Sequence, residues 1–319
     1  MLALHFDESV QLRTDYPIPE PEAGEALIRV LRAGICNTDI EITRGYMGFQ
    51  GVLGHEFVGG VEYAEDRSLI GKRVAGEINL SCGRCQTCRA QMQNHCPHRT
   101  VMGILNKDGA FAEYVTLPTE NLHVIPDLLS DAAAVFIEPL AAACRINEQL
   151  RFVSEERVAI IGDGKLGLLI AEVLGRLLPN VKLFGKHAEK MQLVSNVVET
   201  SSIDTSQPRA FDVVVDASGH PDGLNHAMRM VRPMGTIVLK STCAAGAEFH
   251  PAPIVIDELT IVGSRCGPFD KAIEFLQSHD VNLEKYITAT YPIAEAEDAL
   301  NTAQGKGTLK VQLACDVSR

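Results

Sequence analysis

RVAIIGDGKLGLLIAEVL, Arg157 to Leu174, is the stretch on which the fold turns. An apolar run, VAII, enters a glycine turn, Gly162-Asp163-Gly164-Lys165-Leu166-Gly167, and an apolar helical pattern leaves it. The spacing is G-x-G-x-x-G. Glycine-rich turns are common, but one that follows a strand and opens a helix is the setting in which a pyrophosphate rests on a helix N-terminus. Gly162, Gly164, Lys165, Leu166 and Gly167 are therefore candidate cofactor-binding residues. Downstream, VKLF, DVVVDASG (Asp212 to Gly219), GTIVLK (Gly235 to Lys240) and LTIVGS (Leu259 to Ser264) repeat the apolar strand pattern, with helical segments between most of them. Continuous apolar strands alternating with helices predict a parallel sheet covered on both faces.

Upstream the style differs. Residues 1 to about 130 read as short strands and turns: EALIRVLRAGIC (Glu25 to Cys36), FVGGVEYA, GKRVAGEI (Gly71 to Ile78) and FAEYVTL (Phe111 to Leu117), with a helical TDIEITRG after Cys36. At Ser130 an alanine-rich helical stretch begins, capped by the serine and interrupted by Pro139. The tail from Tyr286 reads as a short helix and a final strand, GTLKVQLACD, returning to the first domain. The fold class is α/β plus all-β. The domains are 1–130, completed by 286–319, and 131–285.

Five of the nine cysteines carry patterns. Cys82, Cys85, Cys88 and Cys96 are spaced C-x2-C-x2-C-x7-C in a segment with almost no apolar content. Zinc holds four thiolates tetrahedrally, and a loop without a core takes its folding energy from the metal. Cys36 precedes Gly54-His55-Glu56 by 19 residues to the histidine. A catalytic zinc keeps three protein ligands and an open position. Thr38 stands near enough to bond an oxygen there, and Asp39 can orient His55 through its second ring N–H. Glu138, in FIEPLAAAC, is a carboxylate at an apolar helix start, where burial would be expensive unless it ligates a metal, so ligation is expected; a helix-start charge or a pairing with Arg145 is the alternative. Cys144, Cys243, Cys266 and Cys315 follow no spacing rule and read as packing residues.

A loop that prefers NAD carries an acid at the end of the second strand, on the ribose 2′-hydroxyl. Here that end is Gly185-Lys186-His187. Glycine leaves room for a 2′-phosphate and the next two residues offer positive charge, so NADP is expected, with NAD as the alternative. A net charge of −12 argues against sequence-independent nucleic-acid binding. No apolar run approaches the ~18–20 residues a membrane span needs. MLALHFDESVQL lacks the basic start and long apolar stretch of a secretory signal, so the reducing cytoplasm is the expected compartment, where clustered thiols bind metal.

Taken together these residues resemble the zinc-dependent medium-chain alcohol dehydrogenase superfamily, over essentially the whole chain. The resemblance implies a GroES-like catalytic domain, a Rossmann cofactor domain and a homo-oligomer, a dimer or tetramer. It implies two zinc ions per chain: Cys36, His55 and Glu138 match the catalytic ligands, Glu56 the neighbouring acid that binds zinc in some states, and Cys82, Cys85, Cys88 and Cys96 the structural lobe. Thr38 matches the hydroxyl of the proton relay. The Cys-x-Thr-Asp-x-Glu-Ile segment is similar to archaeal glucose dehydrogenases, and the Glu-Pro-Leu at Glu138 to sorbitol and threonine dehydrogenases. The chain departs from the pattern in shortened loops after Cys36 and before Gly71, in Glu41 where a relay histidine is common, and in the missing acid of the second Rossmann strand. Glu41 can accept bonds from extra substrate hydroxyls, end the proton relay or point to solvent. The activity so implied is hydride transfer between an alcohol, polyol or sugar, or the matching aldehyde or ketone, and NADP. A zinc-free quinone or enoyl reductase and a non-catalytic zinc- and nucleotide-binding protein are the alternatives.

Overall fold

The computed structural model describes residues 1–241, 246 and 248–315, which form two compact units. One comprises Met1–Glu138 and Asn282–Arg319, the other Pro139–Val281. Cys243 lies outside the described residues.

The first unit is built on a seven-stranded sheet whose longest member is Glu25–Ile35. That strand pairs antiparallel with Glu56–Tyr63, with Tyr114–Pro118 and with the tail strand Lys310–Ala314. Its inward residues Ile28, Val30 and Ile35 are buried, as are Val58, Leu117 and Leu313 on the strands beside it. The tail thus completes the first unit, through a strand pairing that spans most of the sequence.

The division falls eight residues later than expected, after Glu138 rather than Ser130. Ser130 does cap a helix, accepting the Ala133 N–H at 3.1 Å, but that helix, Asp131–Ala134, is a single turn. The carbonyl of Ala132 accepts a bond from Gln312 in the tail strand at 2.8 Å, which ties the turn to the first unit. A second helix runs Ile137–Gln149. Pro139 sits in its first turn, where the missing N–H costs no hydrogen bond, so the interruption precedes the proline instead of following it.

The second unit is a six-stranded parallel sheet. Across the sheet the strands run Glu199–Ser202, Val181–Gly185, Val158–Ile161, Phe211–Asp216, Val231–Leu239 and Thr260–Gly263. Numbered by appearance that is 3-2-1-4-5-6, the doubly wound order. Val158–Ile161 lies centrally and is buried along its whole length, which is why its sequence reads as an unbroken apolar run. The strand Glu199–Ser202 was not legible. It is a polar edge strand, ETSS, and carries no apolar alternation.

Candidate active site

Strand Glu25–Ile35 ends one residue before Cys36, and helix Asn37–Ile42 begins one residue after it. Cys36 is therefore the hinge between the two. Asp39, in the first turn of that helix and fully buried, fixes the hinge twice. One carboxylate oxygen accepts the Cys36 N–H at 2.8 Å, and the other lies 3.0 Å from Nδ1 of His55. Asp39 thus engages Nδ1 of His55, the contact an orienting role would use, and Nε2 is the other ring nitrogen. Burial opposes charge on the His55 ring, but the carboxylate of Asp39 and the sulfur of Cys36 outweigh it and raise its pKa well above the ordinary range.

Ligand atoms of Cys36, His55 and Glu56 all lie within 4.8 Å of one another. The hydroxyl of Thr38 is 3.8 Å from the Cys36 sulfur. A thiolate, an imidazole and a carboxylate gathered at that spacing fit zinc chemically. Glu138 is outside this group of three. It is half-buried in the first turn of its helix, and its charge reaches Lys310, which is in contact with Glu56. Glu41 does not stand open: Arg44 Nη1 donates to its carboxylate at 2.9 Å, and the same guanidinium reaches Gln304 at 3.3 Å.

One participant was not legible in the sequence. Lys310, on the tail strand, is 2 % exposed and its ammonium pairs with Oε2 of Glu56. Burial would lower its pKa, yet the charges of Glu56 and Cys36 raise it. Gly34 makes room for this pair, since a Cβ there would come within 2.6 Å of the Glu56 carboxylate. The pair joins positions 254 apart in sequence. The only local signal was a lysine at the head of an apolar strand.

The second cysteine set gathers as expected. Sγ–Sγ separations are 3.5 Å for Cys85–Cys88, 3.6 Å for Cys82–Cys96, 3.8 Å for Cys85–Cys96 and 4.0 Å for Cys82–Cys88. A tetrahedron of Zn–S bonds of about 2.3 Å has edges of about 3.8 Å, so the four sulfurs fit that ion and are too far apart for disulfides. The N–H of Cys88 donates to the Cys85 sulfur at 3.5 Å, which helps draw that thiol down to about 6.

In the second unit the three glycines of the turn have three separate reasons. Gly162 has φ of 115°, a conformation L side chains rarely adopt. Gly164 has nothing within 4 Å of where a Cβ would be, leaving open space at the first turn of helix Lys165–Leu177. A Cβ on Gly167 would come within 1.9 Å of the Gly162 carbonyl, so the helix can pack this closely only on glycine. Tight turn, room for a pyrophosphate and close helix packing are what a dinucleotide loop needs, and Lys165 and Leu166 supply helix N-terminal N–H groups. At Gly185 the direction a side chain would take is filled. A Cβ there would meet the carboxylate of Asp163 at 2.6 Å.

Residues 22–127 match the alcohol dehydrogenase GroES-like domain, and 186–278 the zinc-binding dehydrogenase domain. An L-threonine 3-dehydrogenase of Streptomyces avermitilis is 33% identical over 92% of this chain and 93% of its own. The chain belongs to the zinc-dependent medium-chain alcohol dehydrogenase superfamily. Two solved members resemble this oxidoreductase closely in fold. A zinc-binding dehydrogenase of Sinorhizobium meliloti, solved with NADP, has a TM-score of 0.88 at 28% identity, covering 98% of both chains. The alcohol dehydrogenase RspB of Escherichia coli CFT073, solved with NADH, has a TM-score of 0.89 at 29% identity, covering 98% of this chain and 99% of its own. Among the described residues of this dehydrogenase no helix is long and apolar enough to cross a membrane.

Proposed function

We propose that the protein oxidises a polyol or related multi-hydroxyl alcohol, or reduces the matching ketone or aldehyde, with a nicotinamide dinucleotide and two zinc ions per chain. The observation that carries this reading is the convergence of Cys36, His55 and Glu56, with the Thr38 hydroxyl beside them. Cys36, His55 and Glu138 would hold the catalytic zinc, with Glu56 as the adjoining acid, and Cys82, Cys85, Cys88 and Cys96 the structural one. When bound, zinc would supply Lewis acidity toward the substrate oxygen and the nicotinamide an acceptor for the carbinol hydride.

The chain's own residues do the rest. Thr38 accepts a hydrogen bond from the substrate hydroxyl and passes its proton outward. Asp39 keeps Nδ1 of His55 engaged, so the imidazole presents one fixed atom. Lys310 balances the buried charge of Glu56. The polyol class is supported by the likeness of Glu138-Pro139-Leu140 to sorbitol and threonine dehydrogenases; fold alone does not supply it. Glu41 stays a candidate for a substrate hydroxyl only if Arg44 releases it or shares it. The eight described cysteines are unbridged, which suits thiolate ligands in a reducing cytoplasm.

A turnover screen of polyols, sugars and simple alcohols of similar size, with both dinucleotides, tests the reading. Polyol turnover that disappears in Cys36→Ala while the protein stays folded is the expected result. Undiminished turnover in that variant would overturn it.

A further inference from the structure

The carboxylate of Asp163 is placed unlike that of a solvent-facing turn residue. It is 8 % exposed and reaches from the glycine turn to the end of the neighbouring strand, Val181–Gly185. There Oδ2 accepts the backbone N–H of Lys186 at 2.8 Å and that of His187 at 2.6 Å. The imidazole Nδ1 of His187 lies 3.1 Å from Oδ2 and 3.2 Å from Oδ1. These contacts surround the spot where a dinucleotide-binding sheet ordinarily offers an acid to the adenosine ribose. Gly185, whose absent side chain left that place unfilled in the sequence, backs directly onto the Asp163 carboxylate.

The surroundings do not make a phosphate site. A cavity of about 200 Å³ runs past Asp163, Gly185, Lys186 and His187 to His220 and His226. A 2′-phosphate is held best by charge-assisted bonds from N–H groups and cations that are free to turn to it. Both strand-end N–H groups and the nearest imidazole are already bound to Asp163. The Nε2 of His226 is 3.1 Å from an Asp222 carboxylate oxygen, and Nδ1 of His220 accepts the Asp222 N–H at 3.2 Å. Lys186 is exposed. Burial would favour the neutral acid at Asp163, but the donors from His187 and Lys186 prevail and hold its pKa below the ordinary value, so the carboxylate is charged near neutrality.

We propose that Asp163 is the specificity-determining residue of the cofactor site: its carboxylate, delivered from the glycine turn, replaces the missing strand-end acid and selects NAD(H) over NADP(H). Oδ1 keeps acceptor capacity for a ribose 2′-hydroxyl, whereas a 2′-phosphate would bring negative charge against a buried carboxylate and find both strand-end N–H groups taken. This revises the NADP preference expected from Gly185-Lys186-His187. It rests on the reading that the second unit binds a nicotinamide dinucleotide.

The test is direct binding. The chain has no tryptophan, so enhancement of reduced-nicotinamide fluorescence can be followed without that protein emission. Dissociation constants for NADH and NADPH would be measured on the wild type, on Asp163→Asn and on Asp163→Ser, alongside kcat/KM with each oxidised form. The wild type is expected to bind NADH at least about tenfold more tightly than NADPH, one tenfold step being about 1.4 kcal/mol. Both variants should cut that ratio about tenfold, chiefly through tighter NADPH. If the wild type binds NADPH as well as NADH, or if the folded variants keep the wild-type ratio, Asp163 does not select the cofactor. If neither dinucleotide binds the wild type, the dinucleotide reading itself fails. Should the variants not fold, the wild-type ratio alone decides.

Discussion

Lys310 and Glu56 form a charge pair with side chains 2% and 1% exposed. Removing one partner of such a pair leaves an ion in a medium that cannot solvate it, at a cost of about 3–5 kcal/mol. Lys310→Met should therefore lower the melting temperature by roughly 2–4 °C per kcal/mol lost, the scale for a domain of 150–250 residues. Lys310→Met combined with Glu56→Gln should recover most of it, because no charge is then left unpaired. Scanning calorimetry on both would decide, and a single variant as stable as wild type would mean the pair holds nothing. Glu138 raises a separate question at this scale, since it is a proposed ligand outside the trio of gathered ligand atoms. Glu138→Ala should lose catalytic zinc and activity while the cysteine lobe stays metallated. Glu56→Gln should retain the zinc. Full zinc and near-normal turnover in Glu138→Ala would reduce Glu138 to a helix-start charge. Asp39 was legible in the sequence because it stands beside Cys36, whose N–H it accepts three positions away, while Cys36, His55 and Glu138 were legible as a set through the family resemblance. Lys310 and Asp163 escaped because their partners are supplied by strand pairing and sheet order, 254 and 23 positions away respectively.

At the scale of elements, the cysteine lobe contrasts with the sheets around it. Helix Gln86–Arg89 has one turn and the lobe's strands have two residues each, so little but four sulfurs at 3.5–4.0 Å holds the segment in shape. Cys85→Ser is expected to remove one zinc equivalent and expose residues 82–96 to protease, while the parallel sheet of the second unit keeps its amide protection. Hydrogen exchange with limited proteolysis checks both halves of that statement; an uncut lobe after zinc loss would show that its packing suffices. Local spacing made this element legible, as it did the strand, turn and helix from Val158 to Leu177, where each step occurs within a few residues. Short polar edges were not legible. Glu199–Ser202 has no apolar face to read, and the strand expected from Phe111 starts only at Tyr114, because the backbone of Phe111 bonds instead to Leu4 and Leu53 and Ala112 bridges to Ala3.

At the scale of the whole molecule, the outer strand of the parallel sheet, Thr260–Gly263, pairs on one side only among the described residues, with Val231–Leu239. Ile261 on that edge is 37% exposed, and Val255 and Ile256 just before it are each 76% exposed. An open, partly apolar edge is a surface that a second copy can cover. We expect light scattering to report a dimer or tetramer and Ile261→Lys to shift it toward the monomer; a wild-type monomer at micromolar concentration would contradict this. The two-domain organisation was legible to within eight residues because the change from alternating to continuous apolar strands is a change of fold class. The boundary was placed early because Ser130 caps a helix that packs back onto the first unit. The account's central claim, zinc-dependent alcohol chemistry at Cys36 and His55, is tested most directly by elemental analysis and turnover measured on the same preparations of wild type and Cys36→Ala, purified without chelator. It predicts two zinc ions per chain with turnover in the wild type, and one zinc without turnover in a folded Cys36→Ala. Equal zinc content in the two proteins, or turnover that survives the substitution, would contradict it.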